Sequence, residues 1–350
     1  PRIRISGMGI FIGTARKENQ MKIIKSIFTA ILTAVCLTAM CSCGHSGRLT
    51  FGTGNVGGSY YSYAGIFSQL VSSDNENIAF DIKNTEGSAA NIRLLQKGFL
   101  DAAIAQSDML AEAYSGSGVF EDSPCRGVRA IAALYTEECQ IVVKADSGIE
   151  SVSDLYGKRV SVGEKESGVK KNAEEILFVN GLSYDVIDEE FLSFSDSAAA
   201  LEDGSIDAFF CTAGAPTGAV YELARNTDIS VLSLDDRTVE RMLKEYSGYT
   251  ECTIPAGTYC GQEEDVRTVG VKAVLVTNKK LSKDTASQLL NTLISHGSEL
   301  RYATVAGEIN AEYAAADIPI PFHDGAKKWY EEHGVDVSQT ADGSKKEETV

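Results

Sequence analysis

A chain of 350 residues that is 43% hydrophobic and 23% charged is long enough for two domains and has the composition of a soluble globular protein. Its net charge of -17 excludes a nucleic-acid surface, which needs clustered Lys and Arg. An acidic body does not steer an anion inward, so any anionic ligand must be held by local dipoles and hydrogen bonds.

Residues 1–20 precede a better start at Met21 and are expected to be upstream read-through. Residues 21–43 have the pattern of a targeting segment. Met21-Lys22-Ile23-Ile24-Lys25 is a basic n-region, and Ser26 to Met40 is an uncharged apolar run too short to span a bilayer. The run ends in Met40-Cys41-Ser42-Cys43-Gly44, which resembles a bacterial lipoprotein signal with Cys43 as the lipidated residue. A plain secretory cleavage site with incidental cysteines is the alternative.

Next comes Phe51-Gly52-Thr53-Gly54-Asn55-Val56-Gly57-Gly58-Ser59-Tyr60-Tyr61, a strand, a glycine-rich turn and a helix start. It spells G-x-G-x-x-G, yet no acidic residue ends the second strand where a dinucleotide ribose would need one. Tyr60 and Tyr61 also crowd the space of a pyrophosphate. No cofactor is expected.

Two pieces of sequence recur about a hundred residues apart. The strand, glycine turn and helix of Leu49 to Tyr61 return at Arg159 to Lys171. Lys97-Gly98-Phe99-Leu100-Asp101-Ala102 returns as Asp203-Gly204-Ser205-Ile206-Asp207-Ala208, each a helix closed by Gly and followed by a buried parallel strand. Such alternation predicts an α/β protein of two Rossmann-like lobes joined by a hinge with two crossings. The chain would leave lobe 1 near Gln140 to Lys144 and return along Thr268 to Val276. Lobe 1 then comprises residues 48–143 and 270–336, lobe 2 comprises 144–269, and 337–350 form a disordered polar tail.

Ser88 is expected to cap a helix Ala89 to Lys97, and Ser167 one from Gly168 to Val179. Pro216 is expected in a first helical turn. Further helices are predicted at Asp235 to Tyr246, Lys283 to Tyr302 and Asp324 to His333, the last supported by His323.

Enzyme signatures are absent. His45, His296, His323 and His333 lack metal-ligand spacing, and neither H-E-x-x-H nor G-x-S-x-G nor a P-loop occurs. Cys125, Cys139, Cys211, Cys252 and Cys260 show no C-x-x-C; Cys252 with Cys260 could close a loop, and buried thiols are the alternative. Cys211, at a strand end, is the one candidate nucleophile for an enzyme reading.

What repeats is a helix N-terminus at the carboxyl end of a strand, with small hydroxyl residues beside it: Gly58-Ser59, Thr85 to Ser88, Ser107, Ser167-Gly168 and Thr212 to Gly214. Any one Ser or Thr can simply cap its helix. As a set they predict a cleft that holds a carboxylate without Arg.

The ordered series resembles the TAXI family of solute-binding proteins, the extracytoplasmic receptors of tripartite TRAP transporters. It runs through Gly52-Thr53-Gly54, Gly57 to Tyr61, Asn84 to Ser88 with Asn91, Ala105 to Asp108, Gly157 to Val160, Ser161-Val162-Gly163, Ser167-Gly168, Gly204 with Ile206-Asp207-Ala208, Gly214 with Pro216, and Ile318 to Ala326. That resemblance implies a type II periplasmic-binding-protein fold and a non-enzymatic, monomeric receptor, lipid-anchored outside the cytoplasm. It would bind a glutamate- or glutamine-like amino acid or dicarboxylate and deliver it to a TRAP-type membrane permease. Ligand contacts would come from Gly58, Ser59, Tyr60, Thr85, Ser88 and Gln106 in lobe 1, and from Ser167, Gly168, Val169 and Gly214 in lobe 2, with Tyr135 and Tyr259 at the rim. The family usually has Thr at the positions of Ser59 and Val169, so Val169 removes a hydroxyl donor. Presentation of the ligand to a sensor is the alternative to transport.

Overall fold

The computed structural model describes residues 48–300 and 309–338. The expected read-through, the signal segment with Cys43 and residues 339–350 lie outside the described residues. Among the described residues no helix is long and apolar enough to cross a membrane.

The chain begins with β1 (Leu49–Gly52), α1 (Ser59–Asp74), β2 (Phe80–Lys83), α2 (Ser88–Lys97), β3 (Ala102–Gln106) and α3 (Ser107–Ser115). A long strand β4 (Val128–Lys144) leads to β5 (Arg159–Ser161), α4 (Gly168–Val179), β6 (Asp188–Glu190), α5 (Phe194–Asp203), β7 (Ala208–Ala213), α6 (Gly218–Ala224), β8 (Ile229–Val231) and α7 (Asp236–Glu245). Then come β9 (Thr250–Ile254), the second long strand β10 (Val266–Asn278), α8 (Lys283–Ser295), α9 (Gly297–Leu300), α10 (Ala311–Ala315) and α11 (Asp324–Glu332).

The strands follow the order β2-β1-β3-β10-β4-β7-β5-β6. At the two ends β2-β1-β3 and β6-β5-β7 are parallel, as the sequence predicts. In the middle β10 runs antiparallel to β3 and β4, and β4 antiparallel to β7, so the whole is mixed. β4 pairs with β10 up to Glu138↔Gly270 and with β7 from Glu138↔Ala213 onward. Glu138 is therefore where β4 passes from one half to the other, and Gly270 is the matching point on β10.

The hydrophobic cores divide at the same place. One holds Phe51, Phe67 and Phe80 with residues up to Tyr135 and from Ala273 onward; the other halves hold Cys139, Ile141, Val143, Phe209 and Phe210. Phe51 meets Phe80 edge-on at a centroid distance of 5.0 Å, and each such buried ring contributes roughly 1.5–3 kcal/mol. Val337, placed in the tail by the sequence, is buried against the first core.

The internal repeat has a physical role. After α2 ends at Gly98 (φ 78°), Asp101 accepts the Thr50 N–H at 2.8 Å, and its own N–H donates to the Thr50 carbonyl at 3.0 Å. After α5 ends at Gly204 (φ 81°), Asp207 accepts the Arg159 N–H at 2.8 Å and donates back to the Arg159 carbonyl at 2.8 Å. In each half the same Asp clasps the incoming strand to the start of the first one.

Several local expectations need correction. Ser88 is the first residue of α2 and caps nothing; Gly87 (φ 117°) is the N-cap, and the Ser88 hydroxyl instead accepts the Gln106 N–H at 3.1 Å. Pro216 precedes α6, which begins at Gly218 after Thr217. The helix predicted from Lys283 to Tyr302 is interrupted at His296, whose φ of -111° and ψ of 20° leave helical geometry, and resumes as α9; Tyr302 lies outside the described residues. Ser167 and His323 do cap their helices, accepting from Lys170 and Gly325.

Candidate functional site

The glycine-rich turn after β1 is held from below by Asn91 of α2. Its amide donates to the Thr53 carbonyl at 2.7 Å and the Ile104 carbonyl at 2.9 Å, which ties the ends of β1 and β3 together. Thr85 completes the tie, with its hydroxyl 2.8 Å from Asn91 Oδ1 and accepting the Gly87 N–H at 3.2 Å. Gly58, Ser59 and Tyr60 at the start of α1, Ser88 at the start of α2 and Gln106 at the end of β3 are thereby brought to one wall. From the other half come Ser167, Gly168 and Val169 at the start of α4, then Leu192, Ser193 and Phe194, and Thr212 and Ala213 at the end of β7.

Between the walls lies a cavity of about 60 Å³. One water needs roughly 10–15 Å³ on the same measure, so there is room for a small molecule and not for an extended one.

The walls touch through many polar contacts. Glu166 accepts the N–H groups of Ala89 and Ala90 at 3.1 and 3.2 Å and pairs through its carboxylate with Arg93. Asn55 donates to Glu164, the Gly57 carbonyl accepts from Ala219 at 3.3 Å, and Ser59 Oγ accepts the Gly214 N–H at 3.3 Å. Gln106 donates to Asn172 at 3.2 Å. The Ala89 and Ala90 amides at the start of α2 are thus occupied by protein.

Of the residues expected at the ligand, Gly58, Ser59, Tyr60, Ser88, Gln106, Ser167, Gly168 and Val169 line the cavity, and Thr85 and Gly214 do not. Thr85 is spent on the turn, and Gly214 lies one residue past the wall with its N–H on Ser59. Tyr135 and Tyr259 are buried behind the walls rather than at the rim; Tyr259 donates to Gln140 and accepts the Thr217 N–H at 2.9 Å.

Missed in the sequence are Asn55, Glu86, Glu164 and, above all, Glu137. Glu137 is 2% exposed at the cavity wall, and its carboxylate accepts the Tyr60 hydroxyl at 2.7 Å. Burial pushes its pKa well above the usual carboxylate range. Its neighbour Glu138 accepts the Ala215 N–H at 3.1 Å, and burial raises it to about 7. The signal was there to read: two adjacent acids interrupt the otherwise apolar run of β4, and an acid inside a buried strand needs a reason.

Cys211 does not suit an attack on a ligand. It is fully buried outside the cavity wall, burial pushes its thiol up, and its S–H is directed to the Thr217 hydroxyl at 3.8 Å. Cys252 and Cys260 are not bonded to each other; all of Cys125, Cys139, Cys211, Cys252 and Cys260 are free thiols.

Residues 51–334 match the NMT1-like family. Among solved structures, a protein of Bordetella bronchiseptica RB50 is similar over 82% of this chain and 98% of its own, at 15% identity and a TM-score of 0.51. An ancestral arginine-binding protein bound to arginine covers 74% of this chain and 99% of its own, at 15% identity and a TM-score of 0.48. The alkanesulfonate-binding protein SsuA from Xanthomonas axonopodis pv. citri, bound to MOPS, covers 73% and 77% at 14% identity and a TM-score of 0.44. The fold is the α/β arrangement expected, with two halves joined by the two long crossing strands β4 and β10.

Proposed function

The chain belongs to the NMT1-like family, and on that premise we propose that it is an extracytoplasmic solute receptor of the TAXI kind. It binds a small carboxylate, an amino acid of the glutamate or glutamine class, and delivers it to a TRAP-type membrane permease. The observation that carries this reading is the cavity between the two lobes, walled by strand ends and helix starts from both. Lobe 1 contributes Ser59, Tyr60, Ser88 and Gln106; lobe 2 contributes Ser167, Gly168 and Val169.

The carboxylate sits between the starts of α1 and α4, whose backbone N–H groups and positive dipole ends favour an anion without a cationic side chain. Val169, Leu192 and Phe194 pack on the ligand's carbon atoms. No reaction is assigned to the cavity. Anchoring through Cys43 and delivery to a permease follow from the sequence resemblance alone.

Thermal unfolding of the full chain against a panel of amino acids and dicarboxylates tests the proposal. A ligand at a hundredfold excess over Kd adds about 2.7 kcal/mol of stability. A panel in which no member shifts the transition would remove the receptor reading.

A further inference from the structure

We propose that the ligand carries a cationic nitrogen, an ammonium or amidinium, and that Glu137 is the residue that reads it. This rests on the receptor reading above and narrows it, because a dicarboxylate lacking nitrogen would not satisfy the wall that Glu137 belongs to.

The first observation is the charge of the wall. Glu86, Glu137 and Glu164 line the cavity, and among the described residues no Lys or Arg does. Glu164 is engaged with Asn55. Glu137 receives a hydrogen bond from Tyr60 and has no ion-pair partner among the described residues, at 2% exposure. Lys171, which enters the region from α4, is already committed to Asp108 at 2.9 Å and Glu175 at 2.8 Å.

The second observation is the polarity of a hydrogen-bond chain leading to the same place. Asp108 Oδ2 is an acceptor, so the Asn172 amide nitrogen, 3.2 Å away, must donate to it. That leaves Asn172 Oδ1 as an acceptor, which the Gln106 amide nitrogen satisfies at 3.2 Å. Gln106 is thereby fixed with its carbonyl oxygen free, and that oxygen is buried without a partner at the cavity wall beside Gly168. A buried, unpaired acceptor costs stability and marks a place where a donor is missing. The Glu137 carboxylate belongs to the wall of a cavity that supplies no cation, and in the same wall the Gln106 carbonyl lies unpaired against Gly168. A nitrogen with several N–H bonds meets both needs.

Until such a ligand arrives, the carboxyl's pKa stands well above the usual carboxylate range. Burial disfavours the charge first, and the charges of Asp108 and Glu138 add to it, against hydrogen bonds from Tyr60 and Gln106. The titratable groups around Glu137 are Tyr60 on α1, Asp108 on α3, and Tyr135 and Glu138 on its own strand; Lys272 on β10 is turned to Asp317 at 2.8 Å. Seating a cation releases the proton to solvent.

Titration calorimetry on the full chain with ligand pairs that differ only at nitrogen provides the test: glutamate against 2-hydroxyglutarate, and alanine against lactate. The expected result is that the amino member binds roughly 30-fold tighter or more, that binding near neutral pH releases a proton, and that Glu137→Gln erases the preference. Wild-type protein that binds both members equally, or a Glu137→Gln variant that keeps the preference, overturns this inference and leaves the receptor standing. Binding of cadaverine and of no carboxylate would keep Glu137 as the reader and remove the carboxylate. If no probe binds, both fall.

Discussion

Lys171 on α4 sets its ammonium 2.9 Å from the carboxylate of Asp108 at the start of α3, so one buried ion pair spans the two lobes. Glu175 lies 2.8 Å from the same ammonium and Glu112 3.6 Å. Burial by itself would lower the pKa of Lys171, and the charges of Asp108 and Glu175 reverse that, so the ammonium is held charged. Around it Tyr249 donates to Glu175 and accepts from Asn172, both at 2.5 Å.

Removing the cation is therefore worse than removing one of its partners. Lys171→Met leaves three carboxyl groups facing one another without compensation, and should cost about 3–5 kcal/mol in urea unfolding. Asp108→Asn leaves Lys171 with Glu175 and should cost markedly less. Equal losses for the two variants would contradict this account of the cluster.

Stability should depend on pH through Glu138. Its carboxyl rises from an ordinary 4.5 to about 7 in the folded protein. A raised folded pKa means that the group's contribution is complete below the unfolded value and is lost as pH rises through about 7. Glu138→Gln cannot ionise. It is predicted to be no more stable than wild type near pH 5, and more stable near pH 8 by on the order of 3 kcal/mol. Denaturant midpoints of both proteins at the two pH values decide it; parallel behaviour would exclude Glu138 as the source.

Two glycines at the lobe junction should respond differently to alanine. A Cβ at Gly270 would lie 2.7 Å from the Glu137 carbonyl oxygen and 2.8 Å from Cys252 Sγ, and the backbone there is fixed by the sheet. Gly270→Ala should cost at least about 1–3 kcal/mol. A Cβ at Gly168 would strike the end of the Gln106 side chain, which can swing away at the expense of its bond to Asn172. Gly168→Ala should cost about 1–3 kcal/mol in unfolding, for the buried Asn172 oxygen left without its donor, and should also weaken ligand binding about tenfold. Unaltered affinity would show that Gln106 takes no part.

Asn91 offers a test of the turn itself. Asn91→Ala takes the side-chain donor from the buried Ile104 carbonyl and one of two donors from the Thr53 carbonyl, which keeps the Thr85 hydroxyl at 2.7 Å. The loss at Ile104 alone, about 1–3 kcal/mol, should lower the thermal midpoint by several degrees. A shift of a degree or two would mean that water replaces the side chain.

Much of the fold was legible because it is local. Gly98 and Gly204 announce helix ends, and Asp101 and Asp207 recur at one spacing because each clasps a strand in the same way. The return strand was visible as an apolar run, and the order of the cleft walls followed from it. What stayed hidden depends on contacts distant in sequence. Ser88 looked like a cap, since nothing nearby reveals that the Gln106 N–H takes its hydroxyl. The start of α2 looked free for an anion, since only the closed approach of Glu166 fills it. Glu137 and Glu138 were not singled out, because their burial arises where two long strands cross between lobes.

The interruption of one core by the other also sets the order in which the molecule can be made. The residues that pack around Ile141, Val143, Phe210 and Val269 are contiguous in the chain and complete by the middle of β10. Those that pack around Phe51 and Ile104 must wait for Val274, Leu275, Trp329 and Tyr330. During synthesis the later-starting lobe can finish first, while the earlier one holds β3 and β4 apart with no strand between them. A chain cut short before Ala273 would thus carry one finished half and one aggregation-prone half, with open strand edges ready to pair with a neighbour.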